Sequence, residues 1–407
     1  MAEMDCKSLH DYYSVRGFKP TFASFISAEE LDRYEIGRIA LYRDILGLPK
    51  ALFCGAQVCE YGPDTGENAL VFARWGSRLT LVEPNKATWA DIRSYFQRFN
   101  LESHLESIVG DTVETFHSPV PLDFINAEGF IYTVQPSDIW LKRFAEQLAP
   151  EGFVVANYLE RSGCLLELLW SLFHSRYGSL IQQCNFETAY ELFEPKWNSI
   201  PHTRPFESWV QDVLENPFVR LKYFIEPSEL LARAAAVGLK LHSSWPRYED
   251  PFHPYWHKRI PDDSVLEMRR SDFIARSRIS FAFARSLFVV GDAEVVAAVN
   301  HAILNLVGAI DGLIDQWQES LLAVAFSALG VIDSVLAGNE VMADAENREQ
   351  AIELLKSLRL ALELLNAGDP ASIRDFTRSD HAIITNWGAT THYVALRHSD
   401  AGPGRHS

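Results

Sequence analysis

The sequence predicts an α/β fold with a mostly parallel sheet, followed by a helical C-terminal region. From residue 57 to about residue 160, short apolar runs alternate with stretches of helical length. A glycine-containing turn, residues 62–66, separates the first run from the first helix. After Gly291 the composition shifts to alanine, leucine, valine and isoleucine at helical spacing. Strands that alternate with helices favour a parallel sheet with right-handed crossovers.

Length and composition indicate an ordinary globular protein. The chain has 407 residues, of which 47% are apolar and 22% charged. This length allows two or three domains and a large core without disulfides or metals. The formal charge is −17, and no run of lysine and arginine appears, so we expect no nucleic-acid partner.

Cysteine content and apolar segments indicate the compartment. Five cysteines, without a CxxC pair, argue against a disulfide framework and favour a reducing environment. The N-terminus lacks a signal-peptide pattern. The densest apolar stretch, Leu321–Ile332, is too short to cross a bilayer of about 30 Å. We therefore expect a cytoplasmic protein with no membrane partner.

The elements are predicted in chain order. Residues 1–50 predict a helical leader, in which Ser27 caps a helix that continues to about Leu46 and packs on, or lids, the main domain. Five strands are then predicted, at 57–61, 78–83, 105–110, 122–127 and 152–156. Two further runs, 239–243 and 280–290, would complete the sheet as an antiparallel pair.

These elements divide the chain into four parts. The main domain spans 51–290, with substrate-facing helical insertions at about 160–225 and 247–278. Residues 291–398 form a C-terminal helical region with about three helices between 293 and 367, and 399–407 form a disordered tail. Within this region, the fragment 386–393 has turn and strand character, and its return to the main domain is one alternative. The apolar helical stripes need a partner, so a homodimer through these helices is one prediction. The alternative prediction is that these helices pack on the sheet of the same chain.

The turn after the first strand carries the central motif. It reads Glu60-Tyr-Gly62-Pro-Asp64-Thr-Gly66. Glycine lets a ligand approach the backbone, and the next helix start offers free N–H groups. Here the chain resembles the class I methyltransferases that use S-adenosylmethionine (SAM), whose first motif is an acidic residue followed by three alternating glycines. Asp64 replaces the middle glycine but tolerates left-handed backbone.

Further strand ends extend the resemblance. Glu83 ends the second strand, where a carboxylate can accept both ribose hydroxyls. By the resemblance, Asp111 would contact the adenine amine, and Asn126 and Glu128 would face the methionine part of the cofactor. The resemblance covers residues 50–160 and returns weakly at 226–290. It implies a Rossmann-like seven-stranded methyltransferase sheet with SAM as cofactor.

Methyl transfer needs a base only when the acceptor carries a proton of high pKa. Candidates follow the fifth strand, and each is more often a packing or surface residue than a base. They are Tyr158, Glu160, His174, His202 and Tyr223. An aromatic and basic patch at 247–258 would suit an acidic, aromatic or sugar-bearing substrate, or would simply fold onto the surface. We expect no metal site at His253 and His257, because Pro254 disfavours a helix there.

The sequence thus predicts a SAM-dependent methyltransferase acting in biosynthesis. A small-molecule acceptor, such as a sugar derivative or biosynthetic intermediate, is expected. One alternative is an NAD(P)-dependent oxidoreductase, although its turn has the form G-x-G-x-x-G, which the spacing of Gly62 and Gly66 does not match. Another alternative is a non-catalytic, methyltransferase-like scaffold subunit.

Overall fold

The computed structural model describes residues 8–16, 27–182, 185–200, 205–249, 263–338 and 340–399. The chain divides into two units. Unit 1 comprises the described residues of Met1–Tyr158, Pro227–Arg247 and His392–Ser407. Unit 2 comprises those of Leu159–Glu226 and Tyr248–Thr391. Both units are therefore discontinuous in sequence, unlike the predicted division at residue 290.

Nine strands lie in the described residues. They are β1 Gln57–Tyr61, β2 Arg78–Val82, β3 Leu105–Val109, β4 Leu122–Ala127, β5 Leu148–Leu159, β6 Leu239–Trp245, β7 Phe288–Val289, β8 Val341–Met342 and β9 Thr391–His398. Seven of them form one sheet in the order β3-β2-β1-β4-β5-β9-β6. The pairs from β3 to β5 are parallel, and β6 pairs with β9 antiparallel. The predicted seven-stranded α/β fold is confirmed.

Helices occupy much of the remaining described chain. They are α1 Leu9–Arg16, α2 Ala28–Ile39, α3 Glu67–Arg74, α4 Trp89–Arg98, α5 Asp138–Gln147, α6 Leu165–Ile181, α7 Phe186–Asn198, α8 Phe206–Trp209, α9 Pro227–Ala236, α10 Asp263–Phe283, α11 Ala293–Asp315, α12 Glu319–Ala337, α13 Ala345–Ala367, α14 Pro370–Ser379 and α15 His381–Thr385. A π-helical segment, Ala40–Ile45, continues α2. Ser27 and Glu30 form a capping box at the start of α2, which fixes where that helix begins.

One predicted strand is wrong. Residues 280–283 complete α10, and the two-residue β7 pairs with β8 in a separate sheet. Phe281, Ala282 and Phe283 are all buried. A short run buried on every side has the same pattern in a helix and in a strand, so periodicity could not separate them. In chain order the last strand of the main sheet is instead β9, which overlaps the fragment 386–393 of predicted turn and strand character.

The unit 1 core covers one face of the sheet with aromatic side chains. Phe53, Phe72 and Phe124 pack with ring centroids 4.8–5.7 Å apart, and Tyr42 packs against all three. Tyr42 belongs to the π-helical segment after α2. The predicted leader is therefore part of the core of unit 1.

Unit 2 has its own helical core. It includes fully buried residues of α6, α11, α12 and α13, such as Leu169, Ile303, Leu329 and Leu362. Two of these helices, α11 and α12, are long and apolar enough to cross a membrane by length and composition alone. Core helices of soluble proteins pass the same test, so this is weak support for a membrane span.

Several predictions fall partly outside the described residues. Residues 250–258 of the aromatic and basic patch, including His253 and His257, lie there, and so does His202. Of the predicted disordered tail, only Ser399 is described.

Candidate functional site

The parallel register brings the predicted motif residues of unit 1 to one edge of the sheet. Tyr61 on β1 pairs with Val82 on β2 and with Ala127 on β4. The next residues, Gly62, Glu83 and Glu128, therefore come directly after three neighbouring strand ends. Ligands of open α/β sheets bind at the carboxyl ends of the parallel strands.

The turn after β1 adopts the backbone that the motif requires. Gly62, Asp64 and Gly66 all have positive φ, at 63°, 48° and 93°. This left-handed region costs glycine little and is tolerated by aspartate. Gly66 directly precedes α3, so the first N–H groups of that helix face the turn region. The substitution of the middle glycine by Asp64 leaves the turn intact.

The ring of Phe130 lies against Gly62. A Cβ added at Gly62 would meet ring atoms of Phe130 at 2.6 and 2.7 Å. Glycine is therefore needed at this position for the close approach as well as for its backbone angle. Phe130 covers part of the turn, a contact that was not predicted from the sequence.

Glu83 holds the turn through its carboxylate. Its Oε2 accepts the N–H of Asp64 at 3.1 Å, and its Oε1 accepts the N–H of Asn85 at 2.7 Å. Burial raises the pKa of Glu83 to about 7. A carboxylate has about four acceptor positions, so about two stay available for a ligand's hydroxyls.

Glu60 on β1 is buried beside Asn126 on β4. The Asn126 amide donates to Glu60 Oε1 at 3.1 Å. Burial, with the nearby charge of Glu128, raises the pKa of Glu60 to about 8, although the Asn68 and Asn126 amides act against the rise. The buried Oε2 of Glu60 accepts no hydrogen bond of good geometry from the described residues.

Glu128 is paired with an arginine from the leader. Nη1 of Arg38 donates to Glu128 Oε2 at 2.9 Å, and Nη2 donates to Oε1. The Tyr42 hydroxyl donates to the same Oε1 at 3.0 Å, and Tyr393 on β9 also hydrogen-bonds this carboxylate. Burial raises the pKa of Glu128, but the charge of Arg38 and the hydrogen bonds from Arg38, Tyr42 and Tyr393 together outweigh burial, so the net effect is a lowered pKa. Hydrogen bonds from the protein therefore occupy most of the acceptor positions of the Glu128 carboxylate.

Asp111 lies in the exposed segment after β3. The backbone N–H of Glu83 donates to the carbonyl oxygen of Val109 at 2.8 Å, which brings the ends of β2 and β3 together. The Trp89 indole donates to the Glu83 carbonyl oxygen at 2.9 Å and lies within 3.5 Å of the position of a Cβ at Gly110. An indole beside these two strand ends offers an apolar surface next to Asp111.

Three side chains of the leader belong to this region and were not predicted from the sequence. Tyr34, Arg38 and Tyr42 occur four residues apart, and residues at i and i+4 share a helix face. Tyr34 donates to Asn68 at 2.6 Å, while Arg38 and Tyr42 contact Glu128. The spacing was visible in the sequence, but the partners lie 34 to 90 residues away along the chain. Only the fold could identify them.

The predicted catalytic residues fall in different units. Tyr158, in unit 1, is buried on β5 with its ring 5.8 Å from the His392 ring. In unit 2, Glu160 accepts the N–H of Gly163 at 2.7 Å, and burial raises the pKa of Glu160 to about 7. Tyr223 ends a short 3₁₀ turn of unit 2 and packs on Phe218.

His174 lies inside α6 of unit 2. The apolar stripe fades after Phe173, but the helix continues to Ile181. His174 Nε2 is 3.8 Å from a carboxylate oxygen of Glu215. Burial lowers the pKa of His174 more than Glu215 raises it, which favours the neutral imidazole.

Similar solved structures share little sequence with this chain. They include the N-methyltransferase NodS from Bradyrhizobium japonicum WM9 in complex with S-adenosylhomocysteine (16% identity, 38% of this chain, 76% of that chain, TM-score 0.29). PKMT2 from Rickettsia typhi, in complex with AdoHcy, matches at 15% identity over 59% of this chain and 49% of its own length (TM-score 0.37). Coclaurine N-methyltransferase, bound to N-methylheliamine and S-adenosylhomocysteine, matches at 12% identity (93% of this chain, 75% of that chain, TM-score 0.36).

The sequence itself matches one family. No curated protein gives a significant match. The profile of the family described as "Methyltransferase domain" matches residues 31–244, which is more than half of the chain and includes every residue of the glycine turn and of the strand ends described above. The match begins within the leader helix, so Arg38 and Tyr42 also fall inside it. The predicted resemblance is confirmed, and the chain belongs to the methyltransferase domain family.

Proposed function

We propose that the protein transfers the methyl group of SAM to a small-molecule acceptor. The observation that carries this proposal is the register of β1, β2 and β4. It aligns the left-handed turn at 62–66 with two buried carboxylates, Glu60 and Glu83. When bound, SAM supplies a methyl group already activated by its sulfonium. The protein's own task is to hold the reactants in line and to exclude water.

The residues of unit 1 fit the adenosyl part of SAM. Glu83 has acceptor positions left for the two ribose hydroxyls, and Asp111 is exposed at the next strand end, where it would accept the adenine amine. Trp89 would provide an apolar surface for the adenine ring. Phe130 lies over Gly62, so we propose that its ring contacts the bound cofactor.

Charge also fits the cofactor. SAM carries a sulfonium, and the strand ends of unit 1 place Glu60, Glu83 and Glu128 near one another. Arg38 neutralises Glu128, which leaves the other two carboxylates to balance a cationic ligand. Both have raised pKa values, so a cation would favour their ionised forms.

We also propose that one residue acts as a general base when the acceptor must lose a proton. Tyr158, Glu160 and His174 are the candidates. The neutral state of His174 and the pKa of Glu160, about 7, suit proton acceptance near neutral pH. Replacing each with phenylalanine or glutamine as appropriate, and measuring turnover against pH, would assign the role.

The acceptor and the cellular setting are also proposed. We propose an acceptor from biosynthesis, such as a sugar derivative, and a cytoplasmic enzyme with no nucleic-acid or membrane partner. The net negative charge of the chain supports the absence of a nucleic-acid partner. The apolar stripes of α11, α12 and α13 are buried in the core of unit 2, so a homodimer is proposed through the exposed apolar side chains of α12 and α13, namely Val324, Val331 and Leu360.

Calorimetric titration tests the cofactor. We expect S-adenosylhomocysteine to bind the full chain and NADH not to bind. Binding of NADH alone would contradict the proposal and favour an oxidoreductase. Binding of S-adenosylhomocysteine without turnover on any acceptor, together with a stable partner enzyme, would favour a scaffold subunit. A mass-spectrometric screen of metabolites for products heavier by one CH₂ would then identify the acceptor.

A further inference from the structure

A group of buried polar side chains lies in unit 2 where the segment between β5 and α6 crosses the segment between α15 and β9. The N–H of Gly163 donates to Glu160 Oε2 at 2.7 Å, and the N–H of Glu160 donates to the Thr390 carbonyl oxygen at 2.8 Å. The Thr390 hydroxyl donates to Glu167 and lies 3.3 Å from the Gly163 carbonyl oxygen. The carboxylates of Glu160 and Glu167 are therefore held at the same crossing.

The two backbones touch at this crossing. A Cβ added at Gly163 would meet the carbonyl oxygen of Ala389 at 2.0 Å. A Cβ added at Gly388 would meet the carbonyl oxygen of Gly163 at 1.8 Å. Because neither segment can shift toward the other, the crossing fixes the positions of the two carboxylates.

Each of these carboxylates keeps one open acceptor. Oε1 of Glu160 and Oε2 of Glu167 accept no hydrogen bond of good geometry from the described residues. The two residues are only 0% and 8% exposed. Burial raises the pKa of both carboxyls, and both charges act on the buried thiol of Cys164. The two open oxygens thus belong to one cluster.

The same cluster holds open donors. In the part of the chain that the structure describes, the indole N–H groups of Trp170 and Trp387 and Nη1 of Arg278 find no acceptor. Trp170 follows Glu167 by three residues on α6, so the two share a helix face. The charge of Arg278 acts on Glu160. Buried polar groups are nearly always paired, so open donors beside open acceptors need an explanation.

Lys196 balances the charge of Glu167. Its Nζ lies 3.5 Å from the centroid of the Trp387 ring and 5.3 Å from that of the Trp170 ring. It donates to three backbone carbonyl oxygens at the end of α15, those of Ile383, Ile384 and Asn386. Burial lowers the pKa of Lys196, and the charge of Glu167 raises it. The pair has no net charge, whichever of the two residues holds the proton.

The remaining charges of the cluster also balance. Glu226 accepts from Arg161 Nη1 and from Arg278 Nη2, each at 2.6 Å. These two arginines offset the carboxylates of Glu226 and Glu160. A charged ligand would add an uncompensated charge to buried surroundings, which is costly. The cluster therefore suits a neutral ligand.

Hydroxyl groups match the open atoms. A hydroxyl both donates and accepts, whereas an ammonium only donates and a carboxylate only accepts. A neutral compound with several hydroxyls can therefore satisfy the open carboxylate oxygens and the open N–H groups together. A sugar ring carries such hydroxyls on neighbouring carbons.

We propose that this cluster of unit 2 binds the methyl acceptor, and that the acceptor is an uncharged sugar ring. Its hydroxyls donate to Glu160 and Glu167 and accept from Trp387 and Arg278. The inference rests on the proposed function and narrows its substrate class. Trp387 and Thr390 are half-buried, whereas Glu160 is fully buried, so the ring enters past the first two residues.

Probes with one ring and three charges test the proposal on the full chain. Ligand-observed NMR titrations compare glucose, galactose and mannose with the amino sugar and the uronic acid of each. We expect at least one of the three hexoses to bind saturably, and its charged counterparts to bind at least about tenfold more weakly. Binding of none of the hexoses would overturn the proposal. Tighter binding of an amino sugar would also overturn it.

Two variants with matched controls locate the binding. Trp387→Phe removes an indole N–H but keeps a ring beside the lysine, and should weaken hexose binding about three- to tenfold. Glu167→Gln should weaken it about tenfold. Trp317→Phe, at a half-buried indole that also has a cation over its ring, and Glu353→Gln, at an exposed carboxylate of α13, should leave it unchanged. Equal losses in variants and controls would overturn the proposal.

Titration with S-adenosylhomocysteine separates this inference from the proposed function. Its affinity should be the same in Trp387→Phe as in the unaltered protein, which also shows that the variant is folded. Binding of S-adenosylhomocysteine without binding of any hexose would overturn this inference and leave the methyltransferase function standing. Failure of the unaltered protein to bind either kind of probe would overturn both.

Discussion

Glu60 illustrates how the fold changes the chemistry of a single residue. Surrounded by strands, this carboxylate is held near the charge of Glu128 and accepts a hydrogen bond from Asn126. Its pKa of about 8 means that it is largely protonated at neutral pH in the absence of a ligand. A cationic ligand reverses this preference, so ligand binding and proton release are linked.

We predict that SAM affinity rises with pH through Glu60. Between pH 6 and 8, ionisation of Glu60 favours the cation, with a gain of at most about tenfold per pH unit for one proton. Titrations in buffers of different ionisation enthalpy would count the protons released. In Glu60→Gln this contribution should vanish. An unchanged pH slope in that variant would assign the effect to another group.

We predict that Glu60 makes the ligand-free protein less stable as the pH rises, whereas it makes SAM bind more tightly. The folded pKa of Glu60, about 8, exceeds its ordinary value of 4.5. Its contribution to the free energy of unfolding is therefore fully present below about pH 4.5 and is lost as the pH rises through 8. The melting temperature of Glu60→Gln should fall less between pH 6 and 8 than that of the unaltered protein. An identical fall would contradict the buried, protonated state.

Gly62 is predicted to be intolerant of a side chain. Gly62→Ala would force a Cβ to within 2.6 Å of Phe130 at a φ of 63°, so we expect a loss of about 1–3 kcal/mol in the free energy of unfolding and weaker S-adenosylhomocysteine binding. Gly55→Ala is the matched control, because Gly55 has a φ of 75° and open space around it. Chemical denaturation would compare the two. Equal losses would mean that the contact with Phe130 adds nothing.

At the scale of elements, β9 is the strand that completes the main sheet. Val394, Ala395 and Leu396 are all fully buried, as in a strand covered on both faces. It pairs with β6 antiparallel, with Leu241 opposite Leu396. Residues near the end of the chain therefore stabilise the same sheet that carries the site.

We predict that Leu396→Ala destabilises the protein by about 2–5 kcal/mol, because it removes buried methyl groups from a packed strand. Val120→Ala is the control, since Val120 is 45% exposed. Denaturant titration measures both. A loss below about 1 kcal/mol at Leu396 would contradict its place in the sheet.

The leader is the second element whose role depends on the fold. Its π-helical segment begins two residues after Arg38 and contains Tyr42. Irregular helical turns of this kind are frequent at functional sites. Because the segment belongs to the aromatic core of unit 1, Arg38 is held on a rigid support.

At the scale of the molecule, α11 and α12 are apolar helices long enough to span a membrane. By length and composition both helices could cross a membrane, yet Ile303, Leu306, Leu329 and Ile332 are fully buried in unit 2. We predict that the protein stays in the supernatant when a detergent-free lysate is centrifuged at high speed. Recovery in a pellet that only detergent dissolves would contradict this expectation. Light scattering of the soluble protein would then test the proposed dimer.

The sequence alone determined the parallel half of the sheet and the motif at its edge. Glu60, Gly62, Gly66 and Glu83 could be identified because turn chemistry and strand length are local properties. Each depends on a few neighbouring residues.

The tertiary structure decided what depends on distant partners. It showed that the seventh strand of the main sheet is β9 and not residues 280–290. The sequence could not decide this, because burial on all sides removes the periodicity that separates a helix from a strand. It also paired Arg38 with Glu128, 90 residues away, and raised the pKa of Glu60 by burial. Contacts and desolvation arise only when separate segments pack together, so no local pattern encodes them.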